Sequence, residues 1–443
     1  MKKTIWTVVA LALLLSSCGG VKESPSQQSE GSQESYTVEQ DNGVGENIGT
    51  ANAKVIDNRN KSSKKGVAVN DSDFDITEYI YETSIGSSEC FLVVKNNSLG
   101  CVSISADMTA YDASGSTIGA QTSNIDILGP DEQSIMPFYF SDVTGIDKVD
   151  YKLSYDTRPS YEPVIANLKT EQTVNDKNLT VVATNTGEYS AEFVQAHALF
   201  FDSEGNVIYY NSSYMTDNDD EIKPGATLSA QIDAYQDFDH VECYFSGRST
   251  GKATTSNNKQ TLSDDEFNIV EYGYENSIGS SQYYLIITNN STIDVGIDGN
   301  MTAYDADNNV IGAANSSIDI LAPGEQSIAP FFFNSVSGID HVEYTLSYDT
   351  SPYYKPVISD IEFVQHINDK NVVIMATNNG DEPAKFVQAY ALFFDADNNI
   401  VYSNSGYITD DDSEIKPGAT LSTQLDAYGT FDHVECYYTG RKN

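Results

Sequence analysis

Short apolar runs closed by turn residues make up most of this chain, and no segment carries a 3.6-residue apolar stripe. Phe91-Leu92-Val93-Val94 is one such run, ended by Asn96-Asn97-Ser98, and Val102 to Tyr111 alternates imperfectly between apolar and polar. Length, β-branching and the flanking turn residues predict a strand from each. Met108-Thr109-Ala110-Tyr111-Asp112-Ala113-Ser114-Gly115 reads as a strand followed by a turn that Asp112 opens, with Gly115 suited to a left-handed conformation. Strand signals at this spacing, separated by turn signals, predict an all-β sandwich architecture.

The pattern repeats. The Met108–Gly115 stretch returns as Ala198–Gly205, Met301–Asn308 and Ala391–Asn398. Tyr111 recurs as Tyr304, Phe201 as Phe394 and Cys243 as Cys436, each 193 residues later. Within each long unit a weaker repeat of 90 residues relates Asp112 to Asp202 and Asp305 to Asp395. Glu221–Ser229 is repeated letter for letter as Glu414–Ser422. These periods predict an A-B-A-B tandem array of four small immunoglobulin-like β-sandwich modules, at 73–157, 163–248, 266–350 and 356–442. Arg158–Pro163 and Ser351–Pro356 place two prolines in six residues, a short and fairly stiff joint within each A-B pair. Residues 249–265 form a polar linker, so the two halves are expected to move relative to each other.

Ahead of the array lie two segments of different character. Residues 1–18 carry Lys2 and Lys3, an apolar stretch from Ile5 to Leu15, and Leu15-Ser16-Ser17-Cys18, the pattern of a bacterial signal peptide. The end of this segment resembles a lipobox, which implies cleavage before Cys18 and lipid attachment to it. The expected location is then the extracytoplasmic face of the cell membrane, reached through the lipid on Cys18. Residues 19–72 are rich in Ser, Gln, Asn, Gly, Glu and Lys and are read as a disordered tether.

The recurring strand, Tyr/Phe-Asp turn and following Leu/Ile-x-Pro-Gly together resemble the FxLYD domain, a small immunoglobulin-like sandwich of bacterial surface lipoproteins. The motif stands as Met-Thr-Ala-Tyr-Asp at 108–112 and 301–305, and as Ala-Leu-Phe-Phe-Asp at 198–202 and 391–395. The resemblance covers all four modules and implies no enzyme activity.

Charge and residue chemistry narrow the function classes. With 24 basic and 65 acidic residues the net charge is −41, which argues against nucleic acid and bare anionic membrane as partners. Cys90 and Cys101 are both absent from the third module, where Tyr283 and Asp294 replace them, so they form a candidate disulfide. Cys243 and Cys436 occupy one equivalent position and read as small buried hydrophobes. The acidic clusters holding Asp217, Asp219 and Glu221, and Asp410, Asp412 and Glu414, crowd hard oxygen ligands into one loop and are candidate calcium sites. No other cofactor is expected. The 29 tyrosines, with the pairs Tyr209-Tyr210, Tyr283-Tyr284 and Tyr353-Tyr354, have the chemistry to stack sugars or meet a protein partner. No nucleophile elbow, Cys-x-x-Cys or His-Glu-x-x-His motif accompanies the five histidines, and no enzyme is expected. The expected function is a lipid-anchored surface array of interaction or spacer domains, with a glycan-binding or attachment lipoprotein as the alternative.

Overall fold

A computed structural model describes residues 68–215, 221–251, 262–276 and 279–442. The signal peptide, Cys18, the expected tether up to residue 67, and the candidate ligands Asp217 and Asp219 lie outside the described residues. The first module contains β1 (Phe74–Glu82), β2 (Ser88–Asn96), β3 (Val102–Tyr111), β4 (Thr117–Leu128), β5 (Gln133–Phe140) and β6 (Lys148–Asp156). Two antiparallel sheets, ordered β1-β2-β5 and β4-β3-β6, face each other across the core. The chain changes sheet after β2, after β4 and after β5. This is an immunoglobulin-type arrangement of A-B-E against C′-C-F without a closing G strand.

The second module repeats the plan with β7 (Leu168–Val174), β8 (Asn178–Asn185), β9 (Ala191–Phe201), β10 (Val207–Tyr214), β11 (Glu221–Ile222), β12 (Thr227–Asp233) and β13 (His240–Arg248). Its sheets are β12-β8-β7 and β10-β9-β11, with β13 also paired to β9. The third holds β14 (Phe267–Glu275), β15 (Ser281–Asn289), β16 (Val295–Tyr304), β17 (Val310–Leu321), β18 (Gln326–Phe333) and β19 (His341–Asp349). The fourth holds β20 (Ile361–Asn368), β21 (Asn371–Asn378), β22 (Ala384–Phe394), β23 (Ile400–Tyr407), β24 (Glu414–Ile415), β25 (Thr420–Asp426) and β26 (His433–Arg441). Each module has its own buried cluster, so the array is four small cores.

Two boundaries differ from the sequence expectation. Val69 packs on the first core, and Asn70 and Asp73 close a capping box around a 3-10 turn, so the first module takes in residues assigned to the tether. Leu262 is buried in the third core and Ser263 makes the matching cap, so the polar linker ends earlier than residue 265.

The Asp-opened turns form as the sequence suggests. Asp112 Oδ1 accepts from the backbone N–H of Ser114 and Ser116, both at 2.9 Å, and Gly115 has φ 79°. Asp202, Asp305 and Asp395 make the same pair of bonds, and Asn308 and Asn398 take the left-handed position at φ 61° and 64°. A short polar side chain that tolerates positive φ is what such a turn requires. At the other end of each sandwich a buried asparagine closes a corner. Asn96 Nδ2 donates to the carbonyls of Gly100, Leu128 and Gly129, and Asn185, Asn289 and Asn378 each reach two carbonyls in equivalent loops.

The modules pack face to face. In β2, Cys90, Leu92 and Val94 point into their own core, and Phe91 and Val93 point out of the sandwich. There they meet Leu199, Phe201 and Val207 of the second module, with Tyr79 set edge-on to Phe201 at 5.4 Å. The third and fourth modules repeat this contact, with Tyr284, Ile286 and Ile328 against Leu392, Phe394 and Ile400. A strand buried on both faces reads as an unbroken apolar run, which is why Phe91–Val94 does not alternate. A third contact, between β12 and β8 of the second module and β16 and β17 of the third, brings the two halves of the chain together. The halves therefore touch, contrary to the mobility the linker predicts, because the linker's composition carries no information about faces that meet through space.

Candidate functional site

The acidic loop of the fourth module is a turn braced by an internal cation. Asp410 Oδ1 accepts from the N–H of Asp412 and Glu414, at 2.9 and 3.3 Å, and Ser413 sits at φ 60°. Lys416 Nζ lies 3.4 Å from Asp410, 3.0 Å from Asp412 and 3.9 Å from Glu414. The contact to Asp412 leads in raising the Lys416 ammonium above its ordinary pKa. A lysine thus stands where the sequence reading places calcium. In the second module Glu221 is buried at the start of β11, paired in register with Glu192. Among the described residues no group of three or more His, Cys, Asp or Glu side chains has the geometry to hold a metal ion.

The cysteines are not joined. Cys90 is fully buried in the first core, and Cys101 lies past the far end of the same strand. Six residues of strand separate Cys90 from Asn96, roughly 20 Å, well beyond the reach of a disulfide. Burial, aided by Glu78 and Glu89, pushes the Cys90 thiol up to about 12. Burial does the same to Cys243 and Cys436. Their high thiol pKa values suit packing residues and leave almost no thiolate at neutral pH.

The tyrosine pairs do not line up as an exposed row. Tyr210 and Tyr284 are taken into the contacts between modules. Tyr209 packs on the second core and Tyr283 on the third. Tyr354 lies under a guanidinium, and its neighbour Tyr353 is 82% exposed.

Three histidines cap the motif aromatic at the turn into the last strand. His240 stacks on Phe201, His341 on Tyr304 and His433 on Phe394, with centroids 4.7 to 4.9 Å apart. His197 differs. It is 4% exposed, its Nδ1 is 2.8 Å from Tyr210 Oη and its Nε2 is 3.1 Å from Ser246 Oγ. Burial alone depresses its pKa to about 4. A Ser-His pair needs a group that stabilises the imidazolium, and here a tyrosine hydroxyl rather than a carboxylate holds Nδ1. The arrangement is a satisfied buried imidazole at the seam between two modules.

The seams also hold features that sequence reading missed. Arg248, at the end of β13, ion-pairs with Asp126 of the first module and lies between the rings of Tyr161 and Phe193, 4.3 and 4.7 Å from their centroids. Arg441 repeats this with Asp319, Tyr354 and Phe386, at 3.9 and 4.6 Å from the two rings. Phe193 and Phe386 adopt φ 51° and 50°, rare for a bulky residue and tolerated here at a strand bulge where the ring covers the guanidinium. In each A-B pair a glutamate also ties a turn of one module to the next module. Glu132 is 5% exposed and accepts from Gly129 N–H at 2.6 Å and from Ala166 N–H, across the joint, at 2.8 Å. Burial outweighs those bonds and raises its pKa. Glu325 makes the matching bonds to Ala322 and Ser359 at 3.0 and 3.1 Å. The available signal was positional: Tyr161 and Tyr354, and Arg248 and Arg441, keep the 193-residue period.

The chemistry these residues perform is association of sheet faces. Two seams are apolar and aromatic, and the seam between the second and third modules is polar. In the polar seam Asn300 Oδ1 accepts from the N–H and hydroxyl of Ser229 at 3.0 and 2.9 Å, and Asn300 Nδ2 donates to the Ser229 carbonyl at 2.7 Å. Ser229 Oγ is also 2.7 Å from Thr302 Oγ1. Gln231 Nε2 donates to the Asn334 carbonyl, and Asn175 Nδ2 to the Ile311 carbonyl, both at 3.1 Å. No known protein-family model matches this chain, and no curated protein is similar to it.

Proposed function

We propose that this protein is a lipid-anchored surface protein whose four sandwich modules serve as a spacer and interaction array, without catalytic chemistry. The observation that carries this reading is the use of the sheet faces: aromatic and apolar residues that a ligand-binding face would display are packed between modules. Clamps at Arg248 and Arg441 hold each joint, as a load-transmitting spacer needs and a flexible string of independent binders does not. The lipobox at Leu15-Ser16-Ser17-Cys18 supplies the attachment point. More than one acyl chain on Cys18 would give firm anchoring, because a single chain binds membranes only marginally. The function proposed does not depend on membership of the FxLYD family. A glycan-binding role would call for an exposed aromatic row, and the strongly exposed tyrosines Tyr235, Tyr353 and Tyr428 are separate residues of different loops.

The test is metabolic labelling with a tagged fatty acid, followed by fractionation and protease treatment of intact cells. Label is expected on the wild-type chain and not on Cys18→Ala, and the wild-type array is expected to be protease-accessible from outside. Labelled Cys18→Ala, or a wild-type array that only lysed cells expose, would overturn the reading.

A further inference from the structure

The contacts between successive modules share a polarity. Each module lays the outer face of its three-stranded first sheet on the outer face of the next module's second sheet. Three such contacts form, which leaves two faces uncovered among the described residues: β3-β4-β6 on the first module, and β20-β21-β25 on the fourth.

These two faces are the repeat equivalents of the polar seam. Ser229 and Gln231 on β12 correspond to Ser422 and Gln424 on β25, and Asn175 corresponds to Asn368. On the opposing side Thr302, Ile311 and Ala313 correspond to Thr109, Ile118 and Ala120. Burial follows occupancy. Ser229 is 1% exposed and Ala313 4% exposed in the seam, and their counterparts Ser422 and Ala120 face solvent. Like β12, β25 is an edge strand, the kind of element that presents unpaired backbone groups to a partner. In the seam the carboxamide of Asn300 meets the backbone of that edge as a donor and an acceptor at once.

One of the substitutions among these contacts is itself matched. Asn300 becomes Asp107, which loses the donor, and the residue opposite it in register changes from Thr345 to Lys152. Acceptor and donor are thus divided between a carboxylate and an ammonium on neighbouring strands. The free face of the fourth module also exposes Val364 and Met375, at 42% and 37%, which adds apolar area to the contact.

We propose that a second copy of this chain docks its first module on the fourth module, repeating between molecules the seam that joins the second and third modules within one. The contact is heterologous, so it propagates head to tail into an open chain or closes as a ring. It uses no lipid and holds whether or not Cys18 is acylated. The net charge of −41 opposes it at long range, and salt screens that repulsion to about 8 Å at 0.15 M.

The experiment is sedimentation velocity on the full chain in non-ionic detergent, under reducing conditions, across a concentration series at an ionic strength of about 0.15 M. Wild type is expected to grow past the dimer with concentration. Thr109→Arg and Ser422→Arg each block one face at a solvent-facing position, and each should be monomeric alone. Mixed one to one, they should form a dimer and nothing larger, because one intact head remains for one intact tail. Ala120→Arg and Gln424→Arg are the second pair, used if circular dichroism shows that either first variant misfolds. A wild-type chain that stays monomeric throughout, a single-face variant that still associates alone, or a mixture that forms no dimer would overturn the proposal.

Discussion

His197 is the residue whose chemistry is most changed by its place in the fold. Its ring stays neutral because burial removes it from water, and its pKa falls to about 4 against an ordinary value near 6.5. Between those two values the unfolded chain binds a proton that the folded chain does not, so stability falls as pH drops from about 6.5 towards 4. The full penalty is at most about 3.5 kcal/mol, since each tenfold change in proton affinity is worth about 1.4 kcal/mol. The fourth module offers a natural control, since Tyr390 and Ser403 stand where the second module has His197 and Tyr210. The double substitution His197→Tyr, Tyr210→Ser should fold and lose the part of the acid sensitivity that lies in this window. Denaturant melts at a series of pH values compare the two chains, and equal slopes would show that His197 is not the titrating group. The turn aspartates act in a lower range. Hydrogen bonds from Ser114, Asn206 and Asn309 lead in holding Asp112, Asp202 and Asp305 below the usual carboxylate pKa. Their contribution is present above about pH 3.9 and is lost as pH falls further.

At the scale of elements, the decisive feature is what the outward side of each strand carries. In β9 Ala196, Ala198 and Phe200 fill the second core, and Leu199 and Phe201 cover the first module. In β3 the outward residues include Asp107, Thr109 and Tyr111, and that face has no neighbour among the described residues. The variation between Leu-Phe-Phe-Asp and Thr-Ala-Tyr-Asp in the repeated motif is therefore a difference in the kind of face presented: apolar in the second and fourth modules, and polar in the first and third, where Thr302 lies in the seam with the second module. Leu199→Asp tests this. The side chain is fully buried in an apolar cluster between modules, so a carboxylate there should open the seam. We expect a loss of about 2–4 kcal/mol, in the range of truncating a buried leucine, with the second core retained. Limited proteolysis should then cut near the joint at Pro159 to Pro163 faster than in wild type. An unchanged cleavage rate would mean that the Arg248 clamp holds the modules together without the apolar seam.

At the scale of the whole molecule the halves are joined by a seam of hydrogen bonds rather than by a shared core. A typical hydrogen bond adds only about 1 kcal/mol net, and the third and fourth modules have cores of their own. A chain cut to 262–443 is therefore expected to fold, with a cooperative melt and a β-type circular dichroism spectrum, and to melt within a few degrees of the full chain. Starting at Leu262 keeps the residue that completes the third core. A fragment without a cooperative transition would show that the polar seam carries far more of the stability than its bonds suggest.

Local rules made much of this molecule legible from its residues. Periodicity of two, β-branching and Asp-Gly or Asp-Asn turns act over a few residues, so strands, turns and four tandem sandwiches could be read directly. The repeat arithmetic did the rest, because equivalent residues fold alike. The candidate sites fared differently. Lys416 among its carboxylates, the distance between Cys90 and Cys101, and the rings closing on Arg248 and Arg441 depend on where separate strands and loops meet. Which faces meet was decided only in three dimensions: the unbroken run at Phe91–Val94 marks a strand covered on both sides without naming its neighbour, and an outward Ser229 looks like any other strand residue until its neighbour across space is known. Composition bounded the chemistry, and tertiary contact decided which residues were exposed to perform it.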